Sequence, residues 1–366
     1  MKEISKIVFF VSLLLSFIVD GISQDNSESL KFYERSAYLL EGTLVSDSLK
    51  ESPFDRLPAK WKDKVREPVW ELSKCSAGLS IRFHTNSSRV AVKWKLLKDV
   101  AMNHMASTGI KGVDLYFREG NRWQYVNTGR PVVMENESIL VQNMKSTWRE
   151  FKIYLPLYDG VVDLEVGIDS LAGFKKAKKN PKKPIVFYGT SITQGGCASR
   201  TGMAHTNIIS RKLDVDCINF GFSGNGRMEE PIIDLMAEVD ASIYVIECLQ
   251  NMTPEQVKIR TVPLVKQLRK KRPKTPILLV DHTLYNSYFL VENSKNFITT
   301  MNKALKEEHS KIIQMAISEV YYISTKNALG EDAEGTVDGV HFTDLGYIRF
   351  ADFLITTFDH LGIAIN

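Results

Sequence analysis

The chain has 366 residues, of which 44% are hydrophobic and 25% charged, and its formal net charge is +4. This composition is ordinary for a globular protein, and the length suggests two domains. A Lys-rich segment at 175–183 is typical of a solvated linker and not of a nucleic-acid surface, and the sequence contains neither a zinc-type Cys/His spacing nor an internal repeat.

The N-terminus has the pattern of a cleavable secretory signal. Two lysines precede a 13-residue apolar run at 7–19, and the small residues Gly21 and Ser23 follow. An uncleaved membrane anchor is the alternative, but the run is shorter than the ~20 residues that span a bilayer. We therefore predict a signal peptide over residues 1–23, a secreted or periplasmic protein, and no membrane span after cleavage.

The next part of the chain, residues 24–178, is predicted to form an all-β domain. Short runs alternate apolar and polar side chains and are separated by turn signals, which is typical of antiparallel strands in a sandwich. The predicted strands are 79–84, 90–96, 112–117, 123–126, 151–155 and 161–168.

Residues 179–366 have a different hydrophobic pattern, in which continuous apolar runs alternate with helical stretches. Such runs indicate parallel strands buried on both faces, so this part predicts a doubly wound α/β sheet. The predicted strands are 185–188, 217–220, 242–246 and 277–280, and the predicted helices are 254–271, 293–308 and 343–360.

The chain has four cysteines, at positions 75, 197, 217 and 248. Three complete disulfide pairings are open to them, and sequence does not choose among these. Because a domain of this size does not need disulfides, we favour free, buried thiols.

Polar residues that follow the predicted parallel strands are the candidates for chemistry, because ligands bind at the carboxyl ends of such strands. Ser191 follows the first strand in Gly-Thr-Ser-Ile-Thr-Gln-Gly. It would lie at a helix N-terminus, where it is either a nucleophile or a helix cap. Gly224 lies in a glycine-rich loop after the second strand. Asn251 follows the third and offers a side-chain amide that can stabilise an oxyanion.

A fourth block precedes the last predicted helix. Asp338 and His341 lie three residues apart in a loop that contains glycine, and Thr343 is the predicted cap of the helix. With this spacing the carboxylate can bond one ring nitrogen, which leaves the other nitrogen to take a proton from a serine.

Taken together, the four blocks resemble those of the SGNH, or GDSL-type, hydrolases, which are named for Ser, Gly, Asn and His. The nucleophile block reads Gly-Thr-Ser-Ile-Thr in place of Gly-Asp-Ser-Leu-Ser, and Leu249 stands where the Asn block usually has Gly. The sequence Gly-Val-Asp-Leu-Tyr at 112–116 is similar to a motif of the N-terminal β-sandwich in a carbohydrate-esterase-like branch.

This resemblance implies a flavodoxin-like doubly wound sheet preceded by a jelly-roll-like sandwich. It implies a serine esterase with Ser191, His341 and Asp338 as the catalytic residues. The Ser191 amide, the Gly224 amide and the Asn251 side chain would form the oxyanion hole, and no cofactor or metal would be needed.

The resemblance and the predicted secretion favour O-acetyl groups on oligo- or polysaccharides as the substrate. A lipase-like or acyl-thioester hydrolase is one alternative. A glycan-binding protein with a vestigial hydrolase domain is another. The intact set of site residues argues against the second alternative.

Three further residues are candidates for substrate contacts, and one histidine is discounted. Arg200 follows the nucleophile block, and His282 follows the fourth strand. Trp123, beside a turn, is the aromatic residue that we most expect to be exposed for stacking on a sugar. His205 is predicted to be a packed or surface histidine of the helix after the nucleophile and not a base.

Overall fold

The computed structural model describes residues 29–365; the predicted signal peptide lies outside this range. The part of the chain up to residue 176 contains two antiparallel sheets, and the part from 185 onward contains one parallel sheet. The strands are β1 Leu30–Tyr33, β2 Leu39–Glu41, β3 Ser80–Thr85, β4 Val90–Leu96, β5 Val113–Glu119, β6 Arg122–Gly129, β7 Glu135–Val141, β8 Arg149–Tyr154, β9 Val161–Asp169, β10 Phe174–Lys176, β11 Ile185–Gly189, β12 Cys217–Gly221, β13 Ile243–Glu247, β14 Ile277–Val280 and β15 Val320–Ile323.

The two antiparallel sheets form the predicted sandwich. One has the order β1-β9-β4-β7, and the other has the order β10-β3-β8-β5-β6 with β2 paired to β3. Apolar side chains of both sheets, including Ile81, Trp94 and Ile153, form one buried cluster. The alternation in the sequence therefore follows from one face of each sheet packing inward.

The parallel sheet has the strand order β12-β11-β13-β14-β15. Relative to its own first strand this is the order 2-1-3-4-5, which is the flavodoxin-like doubly wound arrangement that we predicted. Strands β11 to β14 are buried at every residue, since helices cover both faces. The topological switch point lies beside β11, so the loops that follow β11, β12 and β13 meet at one edge.

The helices are α1 Glu67–Ser73, α2 Ser107–Ile110, α3 Ser191–Gln194, α4 His205–Leu213, α5 Glu230–Glu238, α6 Pro254–Lys271, α7 Glu292–Gln314 and α8 Asp344–His360. Short 3-10 turns lie at Arg35–Ala37, Asp47–Leu49, Ala59–Trp61, Thr201–Met203, Leu249–Asn251 and Asn286–Phe289. Helix α6 begins with a capping box between Thr253 and Gln256. Thr343 caps α8 as predicted, because its side chain accepts a hydrogen bond from the Gly346 amide.

Residues between β2 and β3 complete the core of the parallel sheet. Leu57, Trp61 and Trp70 belong to the same buried cluster as Val186 and Tyr188 of β11. The Arg56 guanidinium lies fully buried nearby and donates to the carbonyls of Cys75, Leu72, Asn219 and Gly221. The two predicted halves thus share packing and hydrogen bonds.

All four cysteines are free and buried, as we favoured. Between residues 29 and 365 no helix is both long enough and apolar enough to cross a bilayer.

Candidate active site

The turn that carries Ser191 joins β11 to α3 without a gap. Strand β11 ends at Gly189, Thr190 is the helix cap, and its hydroxyl accepts a hydrogen bond from the Ile192 amide. Ser191 is the first residue of the helix, so its amide has no partner within the helix. Because the Thr190 side chain caps the helix, the Ser191 hydroxyl does not, and the helix-cap interpretation of Ser191 is wrong.

The backbone of the loop after β12 closely approaches the backbone at the end of β11, next to the turn that carries Ser191. A Cβ atom on Gly226 would lie 1.8 Å from the Gly189 carbonyl oxygen, and the Phe222 amide donates to the same oxygen. Only glycine at 226 lets the loop after β12 press against the end of β11. This contact brings the predicted glycine block beside the serine.

Ser191, His341 and Asp338 form a continuous chain of hydrogen bonds. The Ser191 Oγ lies 2.8 Å from His341 Nε2, and His341 Nδ1 lies 2.7 Å from Asp338 Oδ2. Asp338 Oδ1 also accepts from the backbone amides of His341 and Val340. Since a carboxylate only accepts, Nδ1 carries the proton and Nε2 is left to accept from the serine.

The environment of Asp338 favours its ionised form. Partial burial pushes the pKa of the carboxyl upward, but the hydrogen bonds from the His341 ring and from the two amides outweigh it. The pKa of Asp338 therefore lies below its ordinary value. The site is also open to solvent, since the His341 and Asp338 side chains are 22% and 36% exposed.

The two predicted oxyanion residues lie on neighbouring loops. Gly224 has φ +68° and open space on its side-chain side, and its amide has no hydrogen-bond partner among residues 29–365. The Asn251 Oδ1 accepts from the Gly226 amide at 3.3 Å, which leaves the Nδ2 group as a donor. Leu249, at the position where glycine was usual, is buried in the 3-10 turn that ends at Asn251.

Two groups that sequence reasoning did not select lie beside this chain of contacts. The His104 ring, from the sandwich part of the chain, lies 5.7 Å from the His341 ring between centroids. Side-chain N, S and O atoms of His104, Cys197, Asp338 and His341 all lie within 4.8 Å of one another. This donor set could hold a transition metal, but a metal there would compete with the contacts that His341 makes to Asp338 and Ser191.

Cys197 does not provide a competing nucleophile. Burial, with a smaller contribution from the Asp338 charge, raises the pKa of its thiol to about 12. The thiol therefore stays protonated at neutral pH.

Tyr158, which no motif indicated, also supports the nucleophile turn. Its hydroxyl donates to the Ser191 carbonyl at 3.2 Å. It follows a strand of the sandwich, and no sequence signal connects it with a motif in the other half of the chain. Only the packing of the two halves brings it to the site.

Arg200 holds the two halves of the chain together. Its guanidinium donates to Asp114 Oδ2 and to the Tyr116 hydroxyl, and it lies 3.9 Å from the centre of the Tyr125 ring. The Gly202 amide donates to the same Asp114 oxygen. These contacts give Arg200 a structural pairing, and its predicted role in substrate binding stays a prediction.

Trp123 is not exposed as we expected. The side chain is only 9% exposed, and its indole N–H donates to Asp214. The Arg118 and Lys152 cations lie over its ring. The expectation of an exposed ring was wrong because the indole is covered by these cations and by Asp214 of the other half of the chain.

His282 lies in the interior behind the catalytic rim. It is fully buried, with Nδ1 against the Thr283 carbonyl oxygen and its ring against Tyr285 and Phe297. Its predicted role in substrate binding also stays a prediction. His205, which we discounted as a base, is fully buried and bonds Glu247.

The fold and the site together are those of a serine hydrolase with a doubly wound sheet. A family model described as GDSL-like lipase/acylhydrolase matches residues 182–358, and one for the N-terminus of SGNH hydrolase-type esterases matches residues 30–174. A crystal structure described as a GDSL-like lipase from Bacteroides ovatus is 32% identical, with a TM-score of 0.87 over 92% of this chain and 100% of that one. The chain belongs to the GDSL-like lipase/acylhydrolase family, in its SGNH esterase form with an added N-terminal domain.

Two more distant structures share the fold. The salicylyl-acyltransferase SsfX3 is 14% identical, with a TM-score of 0.76 over 92% of this chain and 99% of that one. A family two carbohydrate esterase from Clostridium thermocellum, in complex with cellohexaose, is 13% identical, with a TM-score of 0.59 over 79% of this chain and 94% of that one. A comparison with curated proteins found no match.

Proposed function

We propose that this protein is a secreted esterase that removes O-acetyl groups from carbohydrates, with Ser191 as the nucleophile. The observation that carries the catalytic assignment is the continuous hydrogen bonding from Ser191 through His341 to Asp338. It has the connectivity in which a base activates a serine and a carboxylate orients the base.

In the proposed reaction the Ser191 oxygen attacks the ester carbonyl carbon, and His341 Nε2 takes the hydroxyl proton. The tetrahedral intermediate collapses to an acyl-serine, and His341 gives that proton to the leaving alcohol. Water then attacks the acyl-serine, with His341 again as the base, and the acid is released. Asp338 stays ionised, which the low pKa of its carboxyl favours, and stabilises the cationic ring in both halves of the cycle.

Three donors would hold the negative oxygen of the intermediate. The Ser191 amide is at the start of α3, the Gly224 amide lacks an internal partner, and Asn251 presents its Nδ2 group beside Gly226. Each is fixed in the protein before substrate arrives, and losing one such donor typically costs roughly 10²–10³ in turnover.

Carbohydrate acetate is the proposed substrate on three grounds. The catalytic pair is partly exposed, which suits a bulky polymeric alcohol. The apolar N-terminal run is typical of export. The fold is shared with carbohydrate esterases, one of them in complex with cellohexaose. We further propose that residues 24–178 and 179–366 are the two functional domains of the mature chain.

A fluorophosphonate probe followed by intact mass measurement tests the nucleophile. We expect one adduct on the wild-type protein, on Ser191, and none on the Ser191→Ala variant. Ser310→Ala, an exposed position on α7, is the control and should label like wild type. Undiminished labelling or ester turnover in folded Ser191→Ala would overturn the assignment.

The substrate class is tested by comparing acetate release from acetylated xylan with hydrolysis of long-chain acyl esters and acyl thioesters. We expect kcat/KM to be highest on the acetylated carbohydrate. A preference for the long-chain or thioester substrates would favour the lipase-like alternative. Binding of acetylated xylan without turnover of any ester would favour the glycan-binding alternative.

A further inference from the structure

The sandwich part of the chain reaches into the esterase site at one exposed side chain, that of His104. This residue lies between β4 and α2, and its ring is a near neighbour of His341. A nitrogen of His104 lies within 4.8 Å of a nitrogen of His341. A carboxylate oxygen of Asp338 and the Cys197 Sγ lie within the same distance of that His104 nitrogen.

The backbone on both sides of His104 is fixed. Before it, the amides of Lys98 and Val100 donate to the two oxygens of the buried Asp159 carboxylate. After it, Met105 is buried in the core below the parallel sheet, and Thr108 donates to the Ser199 carbonyl. The backbone that carries His104 is therefore held against the hydrolase half on both sides of this residue.

The His104 ring has one nitrogen committed and one available. Its Nδ1 lies 3.0 Å from Asn103 Oδ1, which can only accept, so Nδ1 carries a proton. In the neutral ring Nε2 is then an acceptor, and in the cationic ring it is a donor. A hydroxyl group satisfies either form, whereas an alkyl chain satisfies neither.

The reaction geometry decides which part of the substrate lies here. The leaving alcohol oxygen must lie within hydrogen-bond reach of His341 Nε2 to receive its proton. The exposed His104 ring, whose centroid lies 5.7 Å from that of the His341 ring, is therefore within reach of a group next to that oxygen on the same alcohol. The carbonyl oxygen of the ester would instead lie towards Gly224 and Asn251, the proposed oxyanion donors.

We propose that His104 is a specificity-determining residue that hydrogen-bonds a hydroxyl adjacent to the ester on the alcohol portion of the substrate. The sandwich thereby takes part in selecting polyhydroxy alcohols. This inference rests on the proposed esterase function, and it assigns a task to the first domain that the catalytic residues themselves do not perform.

A matched pair of esters tests the proposal: the monoacetate of trans-1,2-cyclohexanediol and cyclohexyl acetate, which differ by one adjacent hydroxyl. In His104→Ala we expect kcat/KM on the diol monoacetate to fall at least tenfold and that on cyclohexyl acetate to change less than threefold. His104→Gln, which keeps a hydrogen-bonding group, should restore part of the loss. His360→Ala, an exposed histidine at the end of α8, is the control and should match wild type on both esters.

The outcomes separate the two proposals. Equal losses on both esters, or no loss on either, would overturn the role of His104 while the esterase function stands. A wild-type protein that hydrolyses neither ester and is not labelled by the fluorophosphonate would overturn the esterase function itself. Because His104 is exposed, thermal unfolding of His104→Ala should match wild type, and its fluorophosphonate labelling rate should also be unchanged.

Discussion

At the scale of single residues, the candidate site is assembled from groups that are far apart along the chain. Ser191, Gly224, Asn251 and the Asp338–His341 pair each follow a strand or precede a helix, and the fold brings their loops to one edge of the sheet. Sequence could not decide whether Ser191 caps its helix, because that depends on the rotamer of Thr190. It also could not reveal His104, because its neighbours at the site are distant in sequence.

Among single residues, His282 makes a prediction about stability and pH. Burial, only partly offset by the bond to the Thr283 carbonyl, lowers its pKa to about 4. Its value in the unfolded chain is about 6.5. Below pH 6.5 the unfolded chain binds a proton at His282, whereas the folded chain does not bind it until about pH 4. The free energy of unfolding therefore falls as pH drops through this window. We expect this residue alone to cost the wild type about 2 kcal/mol between pH 7 and pH 5.

Urea unfolding at the two pH values measures this effect. His282→Gln should be less stable than wild type at pH 7, but it should lose about 2 kcal/mol less on going to pH 5. His360→Gln, at an exposed position, should keep the wild-type dependence. An unchanged pH dependence in His282→Gln would contradict the prediction.

At the scale of elements, the strongly patterned segments were predicted well and the short ones were not. Helix α6 and strand β14 match their predicted bounds because a capping residue or a four-residue apolar run marks their limits. Strands β1, β2 and β10 were missed: three or four residues are too few to show a period, and pairing with longer strands holds them in place. The seven-residue strand β7 was missed for another reason, because Glu-Asn-Glu-Ser-Ile-Leu-Val does not alternate apolar and polar residues. The fifth parallel strand, Val-Tyr-Tyr-Ile in β15, is half-buried at the sheet edge and lacks a continuous aliphatic run.

The loop after β12 gives a prediction at this scale. In Gly226→Ala the new Cβ would lie 1.8 Å from the Gly189 carbonyl oxygen, so the backbone must move. We expect a loss of roughly 10²-fold in turnover of 4-nitrophenyl acetate, because displacement of the loop misplaces the Gly224 and Asn251 donors. Gly120→Ala, in a hairpin turn where nothing lies within 4 Å of the new atom, is the control: its φ of +57° costs alanine some stability, but the folded variant should keep wild-type turnover. Wild-type kinetics in Gly226→Ala would show that the close contact does not position the oxyanion loop.

At the scale of the whole molecule, the sequence pattern divides the chain into two separate halves, whereas in the structure the two halves share part of their interior. Composition changes at the Lys-rich segment, yet Leu57, Trp61 and Trp70 pack in the core of the parallel sheet. Asp114 of the sandwich binds Arg200 and Gly202 of the hydrolase half. Such contacts cannot be predicted from local sequence patterns, because each partner is typical of the strand, helix or loop in which it lies. The hydrophobic pattern therefore predicted the fold class of each half but not how much of the interior the two halves share.

Arg56 provides the prediction for this scale. Its guanidinium donates to four backbone carbonyls, two of which belong to β12. Burial lowers the pKa of Arg56 to about 10, so it stays charged at neutral pH. Arg56→Met would leave those carbonyls short of a donor, and we expect the free energy of unfolding to fall by about 3 kcal/mol or more, measured by urea unfolding. Arg122→Met, at an exposed site on β6, should change it by less than about 0.5 kcal/mol. A similarly small change in Arg56→Met would show that the two halves do not depend on this side chain.

Ser191 lies on the first turn after the first parallel strand, whereas its base lies just ahead of the last helix. During synthesis on the ribosome, the proposed nucleophile therefore emerges long before His341, its proposed base. Until α8 is made and Thr343 caps it, the loop that carries Asp338 and His341 lacks the helix that anchors it. On the proposed mechanism, a growing chain therefore has no activated serine until α8 has been made, and the order in which the parts emerge delays reactivity until the site is assembled.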